Sequence, residues 1–578
     1  MSGPSTSGFR AALWLCSCLS LMVYKAVTVL PVSPGGAASS LFVEAAFMGL
    51  ILGSFQLLAH LLPRADRLLG WVFGVLMLVC LTFFTSHAYF FASAAERRFS
   101  PLDVDLAAIG YFFSHVLPLD GLAALLATAL VSFGGATWIS RRTDLSASRA
   151  FRATLAVPLL ASMALVGWAP RVPSPVMDMA YGVVEDLRTP RLDLSGVRAL
   201  PGSPAELDLS AHLLDTPARD ELGFARVLVF VMETMTAENF ERERKALPSA
   251  SFVNAMRSHS RRYTRYFPSN QDSRTGMLGM LSSRLIPYEA YTEVGRDHYL
   301  YLAKRPSLVD AMRARGYQTA FAVSQDEIEL VVGDMPWQRV LHLDQAALER
   351  ARKAGQLCFV PYEFEHSCED LALLPQVLEL IDQHPRLFLY QEFVWGHASE
   401  YNEASGKTNT AYYSQYLDAV VAHLSAKGLL EDTLIVLTSD HGFRDTSLQG
   451  DPEVVRIPLL FHAPRFAEHE DERLFAHMDF AQLLFHALAA QQPEPRERPF
   501  TLVVGPTGSS FVLGLTRERE LMWFKTSADK QLLLRHVMLD RQGKPVRALE
   551  DTTRPAGFLK LFYDYRAHFD AQGIPATP

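Results

Sequence analysis

The sequence predicts two parts: an α-helical membrane domain with five transmembrane helices, followed by a doubly wound α/β domain on the outer face of the membrane. Two observations favour this fold class. Apolar residues make up 49% of the 578 residues and are concentrated before residue 170. Further along, continuous apolar runs alternate with helical stretches, which is typical of a parallel sheet covered by helices on both faces. We therefore expect a membrane domain over 1–170, a linker over 171–223 and an outer domain over 224–578.

Five apolar segments are each long enough to cross a bilayer, which takes about 20 helical residues. They cover residues 11–31, 41–63, 69–94, 118–139 and 152–170. The first could be a cleaved signal peptide, but its apolar stretch is too long for one and four more segments follow. A retained helix is therefore expected.

Charged residues between the segments predict their orientation. The connections 63–67 and 140–152 are rich in Arg, whereas 31–40 carries no charge and 95–105 mixes both signs. Arg-rich connections remain in the cytoplasm, so the N-terminus is expected inside and everything after the fifth segment outside. The chain is thus predicted to be a multi-pass protein of the inner (plasma) membrane, with its outer domain on the periplasmic or extracellular side.

Charge and cysteine content bear on partners and compartment. The formal net charge is −8, and neither a basic stripe nor an RNA-binding motif occurs, so no nucleic-acid partner is expected. The outer compartment permits disulfides, and Cys358 with Cys368 is a predicted pair. The alternative for these two residues is a pair of buried free thiols.

Five apolar runs in the outer half are predicted to be buried strands. They lie at 226–232, 316–323, 386–393, 433–442 and 455–463, with helical stretches at 306–316, 373–384 and 412–428. In open α/β sheets, ligands bind at the carboxyl ends of the strands. We therefore look for functional side chains where these runs end.

Polar side chains follow three of these strands. Glu233 follows the first, His397 comes a few residues after the third, and Asp440 with His441 ends the fourth. Glu233, Asp440 and His441 form a hard, mixed oxygen and nitrogen ligand set, which suits Zn²⁺ or Mn²⁺ better than Mg²⁺. The alternative for Asp440-His441 is a capped turn with solvated side chains.

A hydroxyl-rich stretch, 267–287, lies between the first two predicted strands and turns into an apolar helical run. A hydroxyl at such a helix N-terminus lies where backbone N–H groups favour an anion, and a metal could activate it as a nucleophile. Ser273 and Thr275 are the two candidates. The alternative is an ordinary helix cap.

Four stretches, "VFVMETMTAENF", "SRTGMLGMLSS", "FVWGHASEY" and "LTSDHGF", resemble in their order the signature of the membrane-anchored alkaline-phosphatase/sulfatase superfamily. The most similar groups are the phosphoethanolamine transferases and the lipoteichoic acid synthase-like phosphoglycerol transferases, which also have five transmembrane helices before an outward catalytic domain. The resemblance implies that one Zn or Mn ion is held by Glu233, Thr275, Asp440 and His441. It also implies that Thr275 is the nucleophile and that His397 binds the substrate phosphate or assists the leaving group.

Other positions are assigned by weaker similarity. Trp337 and Arg339 resemble a Trp-x-Arg segment that contacts glycerol phosphate, and Arg444 could bind a phosphate. His477 is a candidate for a second site, with a polar contact at a helix N-terminus as the alternative. An alignment anchored on Pro287 slips by one residue, so Ser273 remains the alternative nucleophile. The sulfatase signature Cys/Ser-x-Pro-x-Arg is absent, which disfavours a formylglycine sulfatase.

The resemblance implies metal-dependent transfer of a phospholipid headgroup, phosphoethanolamine or phosphoglycerol, through a phospho-threonine intermediate. The donor would be a phospholipid of the membrane, and the acceptor would be a glycan or lipid on the outer face. Two alternatives remain at this stage. One is a membrane-anchored, metal-dependent phosphodiesterase or sulfatase-like hydrolase that uses water. The other is an inactive, membrane-tethered binding module.

Overall fold

The computed structural model of the chain describes most of the sequence in separate ranges. These are 6–28, 34–93, 119–142, 206–213, 222–287, 305–325, 332–362, 365–397, 402–442 without 403, 455–489, 494–505, 511–527 and 530–571 without 542, together with the single positions 192, 194 and 197. The chain divides into two compact units, Met1–Arg188 and Thr189–Pro578, and the boundary between them lies within the predicted linker 171–223.

The described part of the first unit consists of long apolar helices. They are α1 Thr6–Thr28, α2 Pro34–Leu61, α3 Asp66–Ser93 and α4 Leu119–Ser140. Among the described residues, three segments are long and apolar enough to cross a membrane: Thr6–Ala26, Ser40–Leu61 and Pro63–Thr82. These overlap the first three predicted segments, and α4 overlaps the fourth. The fifth, 152–170, lies outside the described residues, so the predicted count of five is not confirmed.

Side chains of these helices are arranged as a bilayer requires. Large apolar residues face outward, with Trp71 79% and Leu130 73% exposed, and lipid can cover such surfaces. The buried charges Lys25 and Glu44 are paired, since an unpaired charge is costly among apolar helices. Lys25 Nζ lies 2.7 Å from Glu44 Oε2, and both side chains are buried.

Ten strands come first along the second unit. They are β1 Arg226–Met232, β2 Ser260–Phe267, β3 Gln318–Val323, β4 Arg339–His342, β5 Cys358–Tyr362, β6 Glu365–Cys368, β7 Leu387–Glu392, β8 Thr433–Ser439, β9 Leu459–His462 and β10 His469–Ala476. Eight of them form one sheet in the order β10-β2-β9-β8-β1-β7-β3-β4. The five strands β8, β1, β7, β3 and β4 are mutually parallel, whereas β9 runs antiparallel to both of its neighbours. All five predicted strands are present in this sheet.

Helices cover both faces of the sheet, as the apolar runs predict. They are α5 Ala237–Arg244, α6 Phe252–Ala255, α7 Ser273–Ser282, α8 Leu308–Ala314, α9 Gln345–Lys353, α10 Leu374–Gln383, α11 Asn409–Ala426, α12 Phe480–Leu488 and α13 Thr553–Ala571. Alternate residues of β1 enter two separate cores: Val229 lies in one and Phe230 in the other. A strand that is buried on both sides reads as a continuous apolar run, which is why it could be predicted from the sequence.

Two parts of this unit were not predicted. A second, antiparallel sheet consists of β11 Phe500–Val504, β12 Phe511–Thr516, β13 Glu520–Ser527, β14 Lys530–Leu539 and β15 Pro545–Ala548, in that order. The predicted linker also contributes to the core, because Leu207 and Leu213 are buried in it and the Leu285 amide donates to the Leu207 carbonyl at 2.8 Å.

Candidate metal centre and nucleophile

The centre of the parallel sheet brings the predicted ligands together. Strand β1 pairs with β8 in a register that matches Met232 with Ser439, the last residue of each strand. The next residues along the two strands are Glu233 and Asp440, so their side chains emerge side by side at the carboxyl edge of the sheet. His441 follows directly.

Glu233, Asp440 and His441 form a compact, buried cluster. One ligand atom from each residue lies within 4.8 Å of the others. His441 Nε2 is 3.5 Å from Glu233 Oε1 and 3.3 Å from Asp440 Oδ2. The three residues are at most 2% exposed. Three donors of this type at this spacing could hold one divalent cation.

Backbone contacts orient the ligands toward the centre of the cluster. His441 Nδ1 lies 2.6 Å from the Gly442 carbonyl, so in the neutral ring Nδ1 carries the hydrogen and Nε2 presents its lone pair to the cluster. Asp440 Oδ1 accepts the N–H groups of His441 at 2.7 Å and Thr234 at 3.0 Å. Its other oxygen, Oδ2, is the one near His441 Nε2.

The electrostatics of the cluster fit a bound cation. Burying two carboxylates side by side is costly, and a divalent metal would offset that cost. The same negative charge acts on tyrosines packed nearby. Burial raises the pKa of Tyr413, and the charges of Asp370, Glu233 and Asp440 raise it further. The cluster therefore matches the donor set and the charge that Zn²⁺ or Mn²⁺ binding requires.

A hydroxyl group joins this cluster, and it belongs to Ser273. Ser273 is the first residue of α7 and is 7% exposed. Its Oγ donates to Glu233 Oε2 at 3.1 Å and lies 3.4 Å from His441 Nε2. A first-turn position places it at the positive end of the helix dipole, where phosphate oxygens are favoured.

The Thr275 hydroxyl is directed to a different group. Asp272 caps α7: its Oδ1 accepts the Thr275 N–H at 3.0 Å, and its Oδ2 accepts the Thr275 hydroxyl. The prediction that Thr275 supplies the hydroxyl beside the metal ligands therefore differs from the geometry. The physical reason is the cap, which makes Ser273 the residue that faces Glu233 and commits Thr275 to Asp272.

Two glycines allow the close packing of this centre. A Cβ on Gly276 would lie 2.7 Å from the Asp440 carbonyl oxygen, so α7 rests directly on the end of β8. A Cβ on Gly396 would lie 2.3 Å from the Glu233 carbonyl oxygen, so the turn after β7 rests directly on the end of β1. At both positions a side chain would displace backbone that carries a ligand.

The other predicted substrate-binding residues differ in their placement. His397 ends the short helical turn Trp395–His397 beside Glu233, but its side chain lies outside the described part of the structure, as does all of Arg444. Trp337 and Arg339 are not brought to the centre. Arg339 is the first residue of β4, and through the register of β3 and β7 it lies level with Leu228 of β1. Leu228 precedes Glu233 by five residues, so Arg339 lies roughly 16 Å from Glu233 along the strand direction.

Trp337 has a structural role instead. Its ring stacks on Phe321 and Phe388 with centroids 5.8 and 6.1 Å apart, and its Nε1 donates to the Val332 carbonyl at 2.6 Å. The nitrogen is therefore already engaged, and the ring belongs to the edge of the core.

His477 also makes a polar contact near the centre. It is fully buried, and its Nε2 lies 3.2 Å from the Ser439 carbonyl. Burial lowers its pKa to about 4, so the ring is neutral near pH 7. It corresponds to the alternative of a polar contact at the start of a helical turn, His477–Asp479.

Three residues that hold the centre were missed in the sequence. Thr234 has a φ of 52° and donates its hydroxyl to Glu233 Oε1 at 2.5 Å. Asp272 caps α7, and Asp370 binds the turn after β7. Asp272 could have been found, because an Asp directly before a helical run is a standard N-cap signal. Thr234 and Asp370 also contact residues distant in sequence, Asp440 and Val394, and those contacts left no local signal.

The Cys358 and Cys368 side chains are joined by a disulfide across β5 and β6. The remaining cysteines, Cys16, Cys18 and Cys80, are free thiols in the first unit.

Comparison with known proteins found a family model that matches the central part of the second unit. Residues 225–490 match the family model described as Sulfatase. A search of curated proteins found no match.

Solved structures with a similar fold were also found. A protein of the alkaline phosphatase superfamily from Vibrio parahaemolyticus is 15% identical, over 61% of this chain and 90% of that one, with a TM-score of 0.46. The lipoteichoic acid synthase LtaP from Listeria monocytogenes is 12% identical, over 63% and 98%, with a TM-score of 0.42. The C-terminal periplasmic domain of EcEptC from Escherichia coli, in complex with Zn, is 14% identical, over 47% and 85%, with a TM-score of 0.34.

Proposed function

We propose that this chain is a membrane-anchored transferase of phospholipid headgroups, and the match of residues 225–490 to the Sulfatase family model supports this proposal. The observation that carries the proposal is the Ser273 hydroxyl, 3.1 Å from a carboxylate of a buried Glu-Asp-His cluster. A hydroxyl in that position is poised to become a nucleophile toward phosphorus.

The metal would be held by Glu233, Asp440 and His441, with Ser273 Oγ as the fourth ligand. When bound, Zn²⁺ or Mn²⁺ supplies positive charge that favours the ionised hydroxyl and stabilises negative phosphoryl oxygens. Thr234 and the Gly442 carbonyl hold the ligand side chains in the orientation that the cluster shows. Thr275, the nucleophile implied by the resemblance, has its hydroxyl on Asp272 and is proposed to stabilise the start of α7.

The first step of the proposed reaction forms a covalent intermediate on Ser273. Ser273 Oγ loses its proton and forms a bond to the phosphorus of phosphatidylethanolamine or phosphatidylglycerol. The bond from phosphorus to the diacylglycerol oxygen breaks, and that oxygen gains a proton. Diacylglycerol remains in the bilayer, and the headgroup phosphate stays on Ser273 as a diester.

The second step returns the enzyme to its starting state. A hydroxyl of an outer-face glycan or lipid attacks the phosphorus and loses its proton, and Ser273 Oγ leaves and regains one. His397 and Arg444 are proposed to bind the phosphate oxygens during both steps. Water in place of the acceptor would give net hydrolysis with the same residues, which is the alternative activity.

The apolar helices of the first unit support a lipid donor. Three of them are long and apolar enough to span a bilayer. Tethering an enzyme to the surface that holds its substrate raises the effective concentration of that substrate. We propose that the outer domain acts on the periplasmic or extracellular face.

The test uses the full-length protein in nanodiscs with labelled phosphatidylethanolamine or phosphatidylglycerol, with and without an added glycan or lipid acceptor. We expect wild type to release diacylglycerol and to gain the headgroup mass on the peptide that contains Ser273. Ser273→Ala should lose the adduct and reduce the rate by at least a thousandfold, since the nucleophile is gone. Thr275→Ala is the matched control and should retain the adduct, with a smaller loss.

The outcomes separate the candidate activities. An adduct on Thr275 that survives in Ser273→Ala would move the nucleophile to Thr275. Headgroup release that is indifferent to every acceptor and yields free phosphoryl headgroup would identify a hydrolase. A wild-type protein that binds zinc but forms no adduct and releases nothing would contradict both, and leave the binding module.

A further inference from the structure

The turn that follows β7 has buried backbone donors that the sheet does not satisfy. The Phe393 amide still continues the ladder and donates to the Val231 carbonyl at 2.9 Å. The next two amides need another acceptor, because buried N–H groups are almost always paired. Both find it in one carboxylate: Val394 N donates to Asp370 Oδ1 at 3.1 Å and Trp395 N to Asp370 Oδ2 at 3.3 Å.

Asp370 is itself fixed by neighbours from other elements. The side chain is fully buried, and Ser324, the first residue after β3, donates its hydroxyl to Oδ1 at 2.6 Å. The Cys368 amide donates to the Ser324 carbonyl at 3.0 Å, and Cys368 is disulfide-bonded to Cys358. One carboxylate thus connects the β5–β6 hairpin, the end of β3 and the turn after β7.

An aromatic pair supports the same connection. The Trp395 ring stacks on Tyr412 of α11, with centroids 3.6 Å apart and an angle of 9° between the rings. The Tyr412 hydroxyl accepts the N–H of Leu371, the residue after Asp370, at 2.9 Å. Both the backbone and the ring of Trp395 are therefore tied to the segment that carries Asp370.

The turn held in this way lies directly against the metal centre. Gly396 packs on the Glu233 carbonyl so closely that a Cβ would come within 2.3 Å of it. Any displacement of the turn therefore acts on the backbone of a metal ligand. The same turn ends at His397, which is proposed to bind the substrate phosphate.

We propose that Asp370 is a positioning residue for the reaction: it holds residues 394–397 against the end of β1 so that His397, the last residue of the turn, keeps the position that phosphoryl transfer requires. Its effect on rate rests on the proposed function. The hydrogen bonds through which it acts are independent of that function, and the test below measures them separately.

The charge of the carboxyl group suits this role. Its partners Ser324, Val394 and Trp395 are all donors, so the ionised form can accept from all of them at once. Burial raises the pKa of Asp370 to about 7, and these hydrogen bonds act against that rise. The titratable groups that face it are Glu369, Tyr412, Tyr413 and Tyr416, and the pKa of each tyrosine is raised by burial and by this carboxylate.

The first measurement is hydrogen exchange of the full-length protein in nanodiscs, resolved to the amides of Val394 and Trp395. In Asp370→Asn, the carboxamide nitrogen is a donor that faces another donor, so one of these bonds is lost. We expect exchange of at least one of the two amides to become at least tenfold faster, with β1 and β8 unchanged. The matched control is Asp382→Asn, the same change at an exposed carboxylate that pairs with His423 and Lys427.

The second measurement is coupling to His397 in the headgroup-release assay. If Asp370 acts through the turn, Asp370→Asn should lower the rate at least tenfold in wild type and less than twofold in His397→Ala. A loss of global stability would lower the rate equally in both backgrounds. Ser324→Ala removes only one donor to the carboxylate, and it should shift amide exchange and the rate in the same directions, by about threefold.

The outcomes are decisive in each arm. Unchanged exchange of Val394 and Trp395 in Asp370→Asn would overturn the proposal, whatever the activity. Faster exchange with an equal loss of rate in both backgrounds would also overturn it, because the carboxylate would then be a stability element only. If Asp370→Asn does not fold, Ser324→Ala decides by the same two criteria. A wild type without headgroup release would refute the proposed function, while the exchange arm would still judge the hydrogen bonds.

Discussion

Thr234, next to Glu233 in the candidate metal centre, has a positive φ, and substituting it separates backbone strain from function. Its φ of 52° is in the left-handed region, which costs a residue with a Cβ about 1–2 kcal/mol and is rare for β-branched side chains. The strain has a visible use. It directs the Thr234 N–H to Asp440 Oδ1 at 3.0 Å and places the hydroxyl 2.5 Å from Glu233 Oε1, so one residue orients two ligands.

The two variants Thr234→Ala and Thr234→Gly should differ in stability but share a loss of metal affinity. Thr234→Ala keeps the strained Cβ and loses the hydroxyl, whereas Thr234→Gly loses both. At an ordinary helix or strand position, Gly is less stable than Ala by roughly 0.5–1 kcal/mol. Here the order should reverse, and the metal-free Gly variant should be more stable than the Ala variant by about 1 kcal/mol, because the left-handed conformation costs Gly little.

Metal affinity should fall in both variants. Removing a hydrogen bond that orients a ligand typically weakens metal binding about 10–100-fold, so both should bind Zn²⁺ more weakly by that factor. Thr234→Ser keeps the hydroxyl and should remain within about threefold of wild type. The assays are zinc competition against a chromophoric chelator and thermal unfolding of the full-length protein in EDTA. Wild-type zinc affinity in Thr234→Ala, or an Ala variant more stable than Gly, would refute the reasoning.

Two further predictions concern the stability of the outer unit. The double substitution Cys358→Ser, Cys368→Ser removes a disulfide between residues 10 apart in the sequence, and it should lower the free energy of unfolding by about 3 kcal/mol. Denaturant titrations measure this change, and a reducing agent should have no further effect on the variant. Equal stability of the variant and wild type would contradict the prediction. His462 is buried beside Met256, and burial lowers its pKa from 6.5 to about 4, so the unfolded chain binds more protons than the native state between these pH values. The contribution of His462 to stability is therefore fully present above pH 6.5, and roughly 3 kcal/mol of it is lost as pH drops to 4. In unfolding curves recorded in EDTA, the stability of His462→Gln should fall by about that much less than the stability of wild type, while the similar contribution of buried His477 remains in both; the same pH dependence in both proteins would contradict the assignment to His462.

The sequence predicted secondary structure best where a strand is buried on both faces of the sheet. All seven residues of β1 are buried, and the apolar run 226–232 therefore marked the strand to the residue. The C-terminal sheet was missed because the signals of its strands are short or absent. In β13, Glu520 and Lys525 bound an apolar run of only four residues, and β15 is exposed along its whole length. Short apolar runs and exposed strands leave a weaker pattern than a longer strand with helices on both sides.

The clustering of Glu233, Asp440 and His441 was predictable because a strand end brings a residue to a defined edge of the sheet. Glu233 and Asp440 are 207 residues apart in the chain, yet each directly follows a parallel strand, and the pairing of β1 with β8 does the rest. Thr234 and Asp370 could not be found in the same way. Their partners are 206 and 24 residues distant, and nothing in their own neighbourhood distinguishes a surface side chain from one that orients a ligand.

The sequence near the start of α7 contained the information needed to choose between Ser273 and Thr275, but the sequence analysis left the choice open. Both hydroxyls lie near the start of α7, and their two-residue spacing means that only one can face the metal ligands. The deciding residue is Asp272. Once it caps the helix, the third residue of the helix is committed to the cap, and the first residue is left to face β1 and β8. Gly276 lies one turn after Ser273 and carries the contact with the Asp440 backbone, so the face of α7 that meets β8 is the face of Ser273. The cap and the glycine thus independently select Ser273, and both stand in the sequence within four residues of it.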